Sequence, residues 1–426
     1  MGNCSSNKTM EAAKAGGMPD PSALAAQAAA AVPNVPSIDV KAMAELAKAA
    51  PSILAKIEAA KHLNPDNLMA KYWDLGYFTS QNQLKQLGLL QIVRSGAENP
   101  DSGMGMYAMQ PTDYDDFKKY FDECIKAYHK ISGEVKHVSS WELKDAEDAE
   151  GIPADGKLDV RNIGIPDDQP LSMRVRVGRN LSTFPLPGAM TQDDRVKMEQ
   201  KMIGVFEELI KDHNYGGTYH SLTPGNKYSI DDNKYNELVK AHIMFKDMSA
   251  DHYLMSAGIA KHWPHGRGCY VAEDKGFIVW VGEEDHLRIM CMKTSFILND
   301  VFDRLRAALD RVEKLLVESK VGEFARSPSY GYVTSCPTNL GTGMRASVHV
   351  KLPKLTADGT DKKAKAVAKP LGLSVRGLGG EHTPIGEDGT VDISPSARLM
   401  IKEATIICKL YKGLQLLREE EAKVEE

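Results

Sequence analysis

The sequence predicts an α+β protein of two domains, a small helical one followed by a larger one that carries the strands. Three observations lead there. Between Ala55 and Lys136, apolar residues recur at helical spacing, as in Leu68, Tyr72 and Leu75, then Phe117, Phe121, Ile125 and Tyr128. From Ser172 onward, short runs alternate with period two or are continuously apolar. These runs, at Ser172–Arg179, Phe277–Val281, Tyr330–Thr334 and Ala346–Val350, read as strands. At 426 residues the chain exceeds what one core organises, so two domains are expected. Composition sets the boundaries: 1–52 a flexible Ala/Pro-rich tether, 53–140 the helical domain, 141–165 a linker and 166–426 the α+β domain.

Charge and cysteine usage exclude several functions. A net charge of -5 gives no bulk affinity for nucleic acid, so a small anionic ligand would have to be held by local arginines. The six cysteines (Cys4, Cys124, Cys269, Cys291, Cys336 and Cys408) are scattered, without a CxxC pair. That usage fits reduced thiols in the cytosol and neither a disulfide framework nor a structural zinc site. No apolar run approaches the roughly 20 residues needed to span a bilayer.

The N-terminus is a different matter. Met1-Gly2-Asn3-Cys4-Ser5-Ser6 matches the pattern for N-myristoylation of Gly2. One myristoyl chain holds a protein only marginally, and palmitoylation of Cys4 would supply the second anchor. The stretch from about 10 to 50 is rich in Ala and interrupted by Pro19, Pro21, Pro33, Pro36 and Pro51, as suits a semi-flexible tether. Such a chain would hold a cytoplasmic body at the cytosolic face of a membrane.

In the helical domain, the loop Ser95–Tyr107 is glycine-rich, with Ser102, Gly103, Met104, Gly105, Met106 and Tyr107 at its end. No strand precedes it and no GxGxxG occurs, so it is not a dinucleotide fingerprint. It serves either close backbone approach to a small ligand or a plain turn. The stretch Gly133–Pro166 is acidic, carries Pro and Gly, and reads as a connection.

In the larger domain, period two puts Arg174 and Arg176 on one face of a strand. They can grip adjacent phosphates or face solvent. His242 sits in the apolar run Ala241–Phe245, where a packed core histidine and a ligand contact are both open readings. The strand Phe277–Val281 ends in Gly282-Glu283-Glu284-Asp285-His286-Leu287-Arg288, either a Mg²⁺ site or a solvated turn. Cys336-Pro337-Thr338-Asn339-Leu340-Gly341-Thr342-Gly343-Met344-Arg345 joins two strands, and its glycines permit φ > 0. Its thiol is a buried structural cysteine or a reactive group near a phosphate-type anchor. Val375–Thr383 is a glycine-rich loop with Glu381 at its tip, and Ala397–Leu417 reads as an amphipathic packing helix.

The Cys336–Val350 run resembles the signature of the phosphagen (guanidino) kinases, and several other motifs agree with it over roughly residues 55 to 420. The resemblance implies a small all-α domain and a larger domain with an antiparallel sheet flanked by helices, of the phosphagen kinase and glutamine synthetase-like type. It implies that Arg174, Arg176, Arg288, Arg345 and Arg376 converge on nucleotide phosphates, with Mg²⁺ held by those phosphates and water. Ser172, His242, Ala346, Ser347, Val348, His349, Gly377, Leu378, Gly379, Gly380 and Asp392 fall at nucleotide-contacting positions. Glu284 and Glu381 would clamp the guanidinium, and Cys336 would contribute a thiolate whose pKa is lowered by neighbouring donors.

The Ser-Gly-x-Gly-x-Tyr loop Ser102–Tyr107 is similar to that of arginine kinases. L-arginine and ATP are therefore the expected substrates, with taurocyamine and lombricine as alternative guanidines. Gly282 stands where the family pattern has Asn, and Gly379 where arginine-kinase relatives often have Arg. No Walker A or protein-kinase HRD and DFG set is present. A membrane-tethered nucleotide-binding pseudoenzyme is the reading from another class. Arginine kinases are commonly monomers and relatives form dimers, so either state is compatible. An anchored energy-buffering kinase suits delivery of ATP near a consumer such as a ciliary or flagellar motor. Gly2→Ala is expected to shift the protein from the membrane pellet to the supernatant; a mutant that still pellets would retire the acylation reading.

Overall fold

A computed structural model describes residues 40–147, 152–378 and 383–424. Gly2 and Cys4, expected to carry acyl groups, and Gly379, Gly380 and Glu381 of the glycine-rich loop lie outside those residues.

The first described helix, α1 (Val40–Leu63), begins inside the expected tether and runs through Pro51, which corrects the boundary at 52. A proline in a helix interior costs about 3 kcal/mol, through one lost donor and a clash with the carbonyl four residues back. Pro51 is exposed, whereas Leu46, Ile53, Leu54 and Ile57 are buried. Each such side chain contributes roughly 1.5–3 kcal/mol, so together they outweigh the proline. Helix α2 (Gln83–Glu98) starts at Asn82, whose side chain accepts the Lys85 N–H at 3.0 Å. Helix α3 (Lys118–His129) completes the domain, around a core that includes Met69, Trp73, Phe121 and Ile125.

The larger domain is built on an eight-stranded sheet of antiparallel pairs. Its members are β1 (Leu171–Arg179), β2 (Gly217–Ser221), β3 (Gly268–Ala272), β4 (Phe277–Val281), β5 (Leu287–Ser295), β6 (Met344–Lys351), β7 (Leu373–Arg376) and β8 (Thr390–Pro395). Their spatial order is β2-β3-β4-β5-β1-β6-β8-β7, so β1 lies in the interior between β5 and β6. Helices α4 (Gln192–Leu209), α6 (Asn299–Glu318) and α7 (Glu403–Lys423) cover one face. The short helix α5 (Asp232–Lys240) and residues 243–248 cover the β3–β5 part of the other face, in a cluster with Ile278, Trp280 and Met290.

Two expectations need correction. Residues 141–165 are more than a linker, because Leu158, Val160, Ile163 and Ile165 belong to the large core. Residues 397–402 precede α7 and are not helical, so that helix starts six residues later than the periodicity suggested.

The two domains share a boundary rather than a hinge of free chain. The small-domain core continues into Leu186, Ala325, Tyr330, Val333, Leu340 and Leu399. Ser95 Oγ donates to the Tyr253 carbonyl at 3.0 Å, Asn99 Nδ2 donates to Ser256 Oγ at 2.9 Å, and the Tyr253 hydroxyl donates to Asp101.

Candidate active site

Strand register brings the arginines together. On β1, Arg174 and Arg176 alternate with the buried Met173, Val175 and Val177. Across β1–β6, Arg176 faces Arg345, Arg174 faces Ser347 and Ser172 faces His349. Across β1–β5, Gly178 faces Arg288. His349 in turn faces Asp392, which faces Arg376. Because side chains alternate along a strand, all these residues occupy one face of the sheet, opposite α4, α6 and α7.

Five guanidinium groups on one face repel each other. At about 5 Å and an effective dielectric near 20, one such pair costs roughly 3 kcal/mol. Asp392 pairs with Arg345 at 2.5 Å, and both are buried. Arg345 also donates to Ser394 Oγ at 3.1 Å. Glu283 and Glu284 lie 2.8 and 3.7 Å from Arg288. The side chains of Arg174 and Arg176 are half-buried and, among the described residues, have neither an ion pair nor a hydrogen bond. Burial, reinforced by the charge of Arg288, holds both guanidinium groups below the usual arginine range. Burial also lowers Arg345 to about 10, with Asp392 opposing. Beyond Arg376 a cavity of about 760 Å³ opens along the edge strand β7, with Lys365 and Lys369 in its wall.

The acidic turn and the thiol loop stand at the end of this face. Burial, then the neighbouring Asp285 and Glu283, raises Glu284 to about 8. Cys336 is buried and its Sγ lies 3.1 Å from Thr338 Oγ1. Burial and the adjacent Glu284 push its thiol up to about 12, which corrects the expectation of a depressed pKa. The donors near the sulfur are outweighed by desolvation and negative charge. Pro337 opens a single 3₁₀ turn, and Gly341 adopts φ +93, where a Cβ would sit 2.3 Å from the Arg398 carbonyl.

The loop of the small domain reaches the same place. Its Ala108 N–H donates to the Ser335 carbonyl at 2.8 Å, next to Cys336. Tyr107 neighbours Cys336 and Glu284, and burial followed by those two groups keeps its hydroxyl protonated. Gly105 has φ +73, and a Cβ on Gly96 would meet the Gly105 carbonyl at 2.4 Å, so two glycines seat this loop on α2. The carbonyls of Gly103, Met104 and Gly105 accept from Leu68, Met69 and Gly96, while the Gly103 and Met104 N–H groups make no hydrogen bond among the described residues.

A family model described as the C-terminal catalytic domain of ATP:guanido phosphotransferase matches residues 197–424, and one for the N-terminal domain matches residues 63–126. The chain belongs to the ATP:guanido phosphotransferase family. It is 38% identical over 338 residues to an arginine kinase of Amphioctopus fangsiao, covering 78% of this chain and 87% of that one. An arginine kinase of Carcinus maenas is 35% identical over 362 residues, covering 84% and 93%. Among solved structures, the substrate-free duplicated taurocyamine kinase of Schistosoma mansoni superposes with a TM-score of 0.71 at 29% identity, covering 87% of this chain and 49% of that one. This chain therefore spans about half the length of that duplicated protein. A lombricine kinase gives a TM-score of 0.70 at 25% identity, covering 84% and 92%.

For a guanido phosphotransferase, the sequence-predicted residues divide in two. The five arginines with Ser172, Ser347, His349 and Asp392 share one face, and Glu284, Cys336 and Tyr107 meet at its end. His242 is exposed rather than packed in a core, and the adjacent Ile243 carbonyl accepts from Trp280 Nε1, above whose ring Arg288 lies at 5.4 Å. Gly377 continues β7 toward the loop, and Leu378 is exposed. Other expected contacts are not placed there by their side chains. Ala346 and Val348 belong to the helix-side core, and Met104 and Met106 to the small-domain core. The acidic turn pairs with Arg288 and accepts the Ser335 N–H, and no group of three or more metal-ligating side chains exists among the described residues.

Sequence reading missed Arg398. It lies in the non-helical stretch before α7, close to Arg376, Cys336 and Glu284. Its Nη1 reaches the Thr338 carbonyl at 3.4 Å. Asp392→Asn is expected to destabilise the fold by about 3 kcal/mol, because it leaves Arg345 buried without its counter-ion. Urea denaturation would measure it, and a change below about 1 kcal/mol would show that the pair is dispensable.

Proposed function

We propose that the protein reversibly transfers the γ-phosphoryl group of MgATP to the guanidino nitrogen of L-arginine, giving ADP and phosphoarginine. The observation that carries this reading is the unpaired Arg174 and Arg176 beside Arg288, Arg345 and Arg376 on one face that ends at Glu284 and Cys336. Two desolvated cations without counter-ions are stable in company with a polyanion. A nucleotide triphosphate with its Mg²⁺, held chiefly by phosphate oxygens and water, matches that requirement.

In phosphoryl transfer the protein mainly positions reactants and stabilises charge. The arginines hold the phosphates, and Asp392 keeps Arg345 oriented. Glu284, with Glu381 from the glycine-rich loop, clamps the guanidinium so that one nitrogen points at the γ-phosphorus. Burial and Glu284 keep the thiol protonated, so the guanidinium itself supplies the positive charge that favours thiolate. Cys336 then acts as an electrostatic partner and forms no covalent bond. Arginine is favoured by the short loop Ser102–Tyr107, whose Gly103 and Met104 N–H groups are available to a carboxylate. Likeness to taurocyamine and lombricine kinases supports the second reading, another guanidine in the same site. Acylation at Gly2 and Cys4 would anchor this energy-buffering activity at a membrane.

A coupled ADP-release assay with MgATP against L-arginine, taurocyamine, lombricine and creatine tests the reading. Preference for arginine supports it, preference for another guanidine keeps the chemistry and retires the loop argument, and absence of turnover with all four leaves a nucleotide-binding module. Cys336→Ser is expected to lower kcat on the order of 10²-fold without abolishing it, and an unchanged rate would remove the thiol from the mechanism. The pH dependence has a definite sign. Burial and its neighbouring carboxylates raise Glu284 to about 8, and it must ionise to hold a cation. Guanidine affinity therefore rises steeply as pH approaches 8, rises more gently above it while the Cys336 thiol still ionises on binding, and is accompanied by proton release near neutrality. Calorimetry in buffers of different ionisation enthalpy would detect that release; its absence would show Glu284 to be ionised beforehand.

A further inference from the structure

We propose that Asn180 and Asp285 form a clamp that fixes Glu284 against Cys336, and that Asp285 is a positioning residue rather than a base or cation ligand. The proposal deepens the functional reading above and rests on it.

Asn180 is fully buried just past the end of β1. Its Nδ2 donates to Asp285 Oδ1 at 2.7 Å and to the Val333 carbonyl at 3.1 Å, while its Oδ1 accepts the His286 N–H at 2.8 Å. A backbone donor on one side and a backbone acceptor on the other leave a single sensible orientation of the amide. The same Asp285 Oδ1 accepts the Ser335 N–H at 2.7 Å. One carboxylate oxygen thus joins the residue after Glu284 to the residue before Cys336.

Two further features hold the carboxylate in place. A Cβ on Gly178 would lie 2.5 Å from Asp285 Oδ2, so the missing side chain is what lets Asp285 press against β1. On the other flank, the His286 ring accepts the Leu181 N–H on Nδ1 at 3.0 Å and donates from Nε2 to the Pro185 carbonyl at 2.9 Å. Both loops that carry reacting groups are therefore referenced to the end of one interior strand. A misplacement of about 1 Å at such a site can cost on the order of 10²-fold in rate.

The experiment compares Asn180→Asp, Asp285→Asn and Asp285→Ala with the wild type in steady-state turnover and in alkylation of Cys336 by iodoacetamide. Asn180→Asp removes the donor and opposes two carboxylates. It is expected to lower kcat by about 10²-fold with KM for ATP within about twofold, and to raise the alkylation rate at pH 8 about tenfold as the thiol loop loosens. Asp285→Ala should behave alike. Asp285→Asn removes the charge but keeps an oxygen for Asn180 and Ser335, so kcat should fall no more than about threefold with alkylation near the wild-type rate. Asp285→Asn as damaging as Asp285→Ala would show that the charge matters and overturn the clamp. Unchanged alkylation in Asn180→Asp would also overturn it. Should Asn180→Asp lose its melting transition, the two Asp285 variants decide alone. A wild type inactive on every guanidine tested would overturn the functional reading, and the alkylation comparison would still judge the clamp.

Discussion

Repulsion among desolvated guanidinium groups is the constraint around which the larger domain is arranged. Arg176 and Arg345 are direct cross-strand neighbours, a placement that is unfavourable in an ordinary sheet. It persists because register is fixed from the other side. Met173, Val175 and Val177 on β1, with Met344, Ala346 and Val348 on β6, are buried against the helix layer. A one-residue slip would expose that apolar row and bury the arginines, so the core enforces the charge cluster. Asp392 and Glu283 offset part of the repulsion. Arg174 and Arg176 have no such counter-ion among the described residues, so the face carries surplus positive charge.

The guanidine end of the site is organised by the opposite problem, surplus negative charge in a dry place. Glu283, Glu284 and Asp285 are consecutive, and each is given a different partner environment. Glu283 takes Arg288 at 2.8 Å, Asp285 takes Asn180 and the Ser335 N–H, and Glu284, with Arg288 only at 3.7 Å, is dominated by burial and keeps a raised pKa. Three adjacent carboxyl groups are differentiated by what the fold places around them. The small domain contributes the remaining wall through a loop in which the Gly103, Met104 and Gly105 carbonyls are occupied, while the Gly103 and Met104 N–H groups make no hydrogen bond among the described residues.

How much of this was legible in the sequence differs by element. Period two announced the Arg174–Arg176 face, and the glycines of the Cys336 loop announced its sharp turns. Local patterns of that kind survive folding because they are set by backbone sterics. Helix α1 was obscured by Pro51, whose local penalty is overridden by burial that only the tertiary structure reveals. Arg398 was lost inside a pattern that continued the following helix in both composition and spacing. Met104, Met106, Ala346 and Val348 sit between expected site residues, yet strand alternation turns Ala346 and Val348 into the helix-side core, and the small-domain core takes Met104 and Met106. A contiguous motif overstates a site by about half when its backbone is extended. The direction of the Cys336 shift was misjudged because sequence shows the nearby hydroxyl and arginine but not the depth of burial or the proximity of Glu284, far away in the chain.

On the proposed function, the two electrostatic problems would solve each other. Arg288 and Arg398 lie near Glu284 and oppose entry of another cation. On the proposed function, phosphates on the arginine face would cancel that positive field, and the guanidinium would cancel the negative charge that keeps Glu284 and Cys336 protonated. Each ligand removes a penalty that the other would otherwise meet. Because the end of β1 sits between the phosphate face and the Asn180–Asp285 contacts, the two charge systems are referenced to one rigid element. A reaction that moves a phosphoryl group from one half to the other needs that common reference, since the distance to be crossed is set by the strand and not by the flexible ligands.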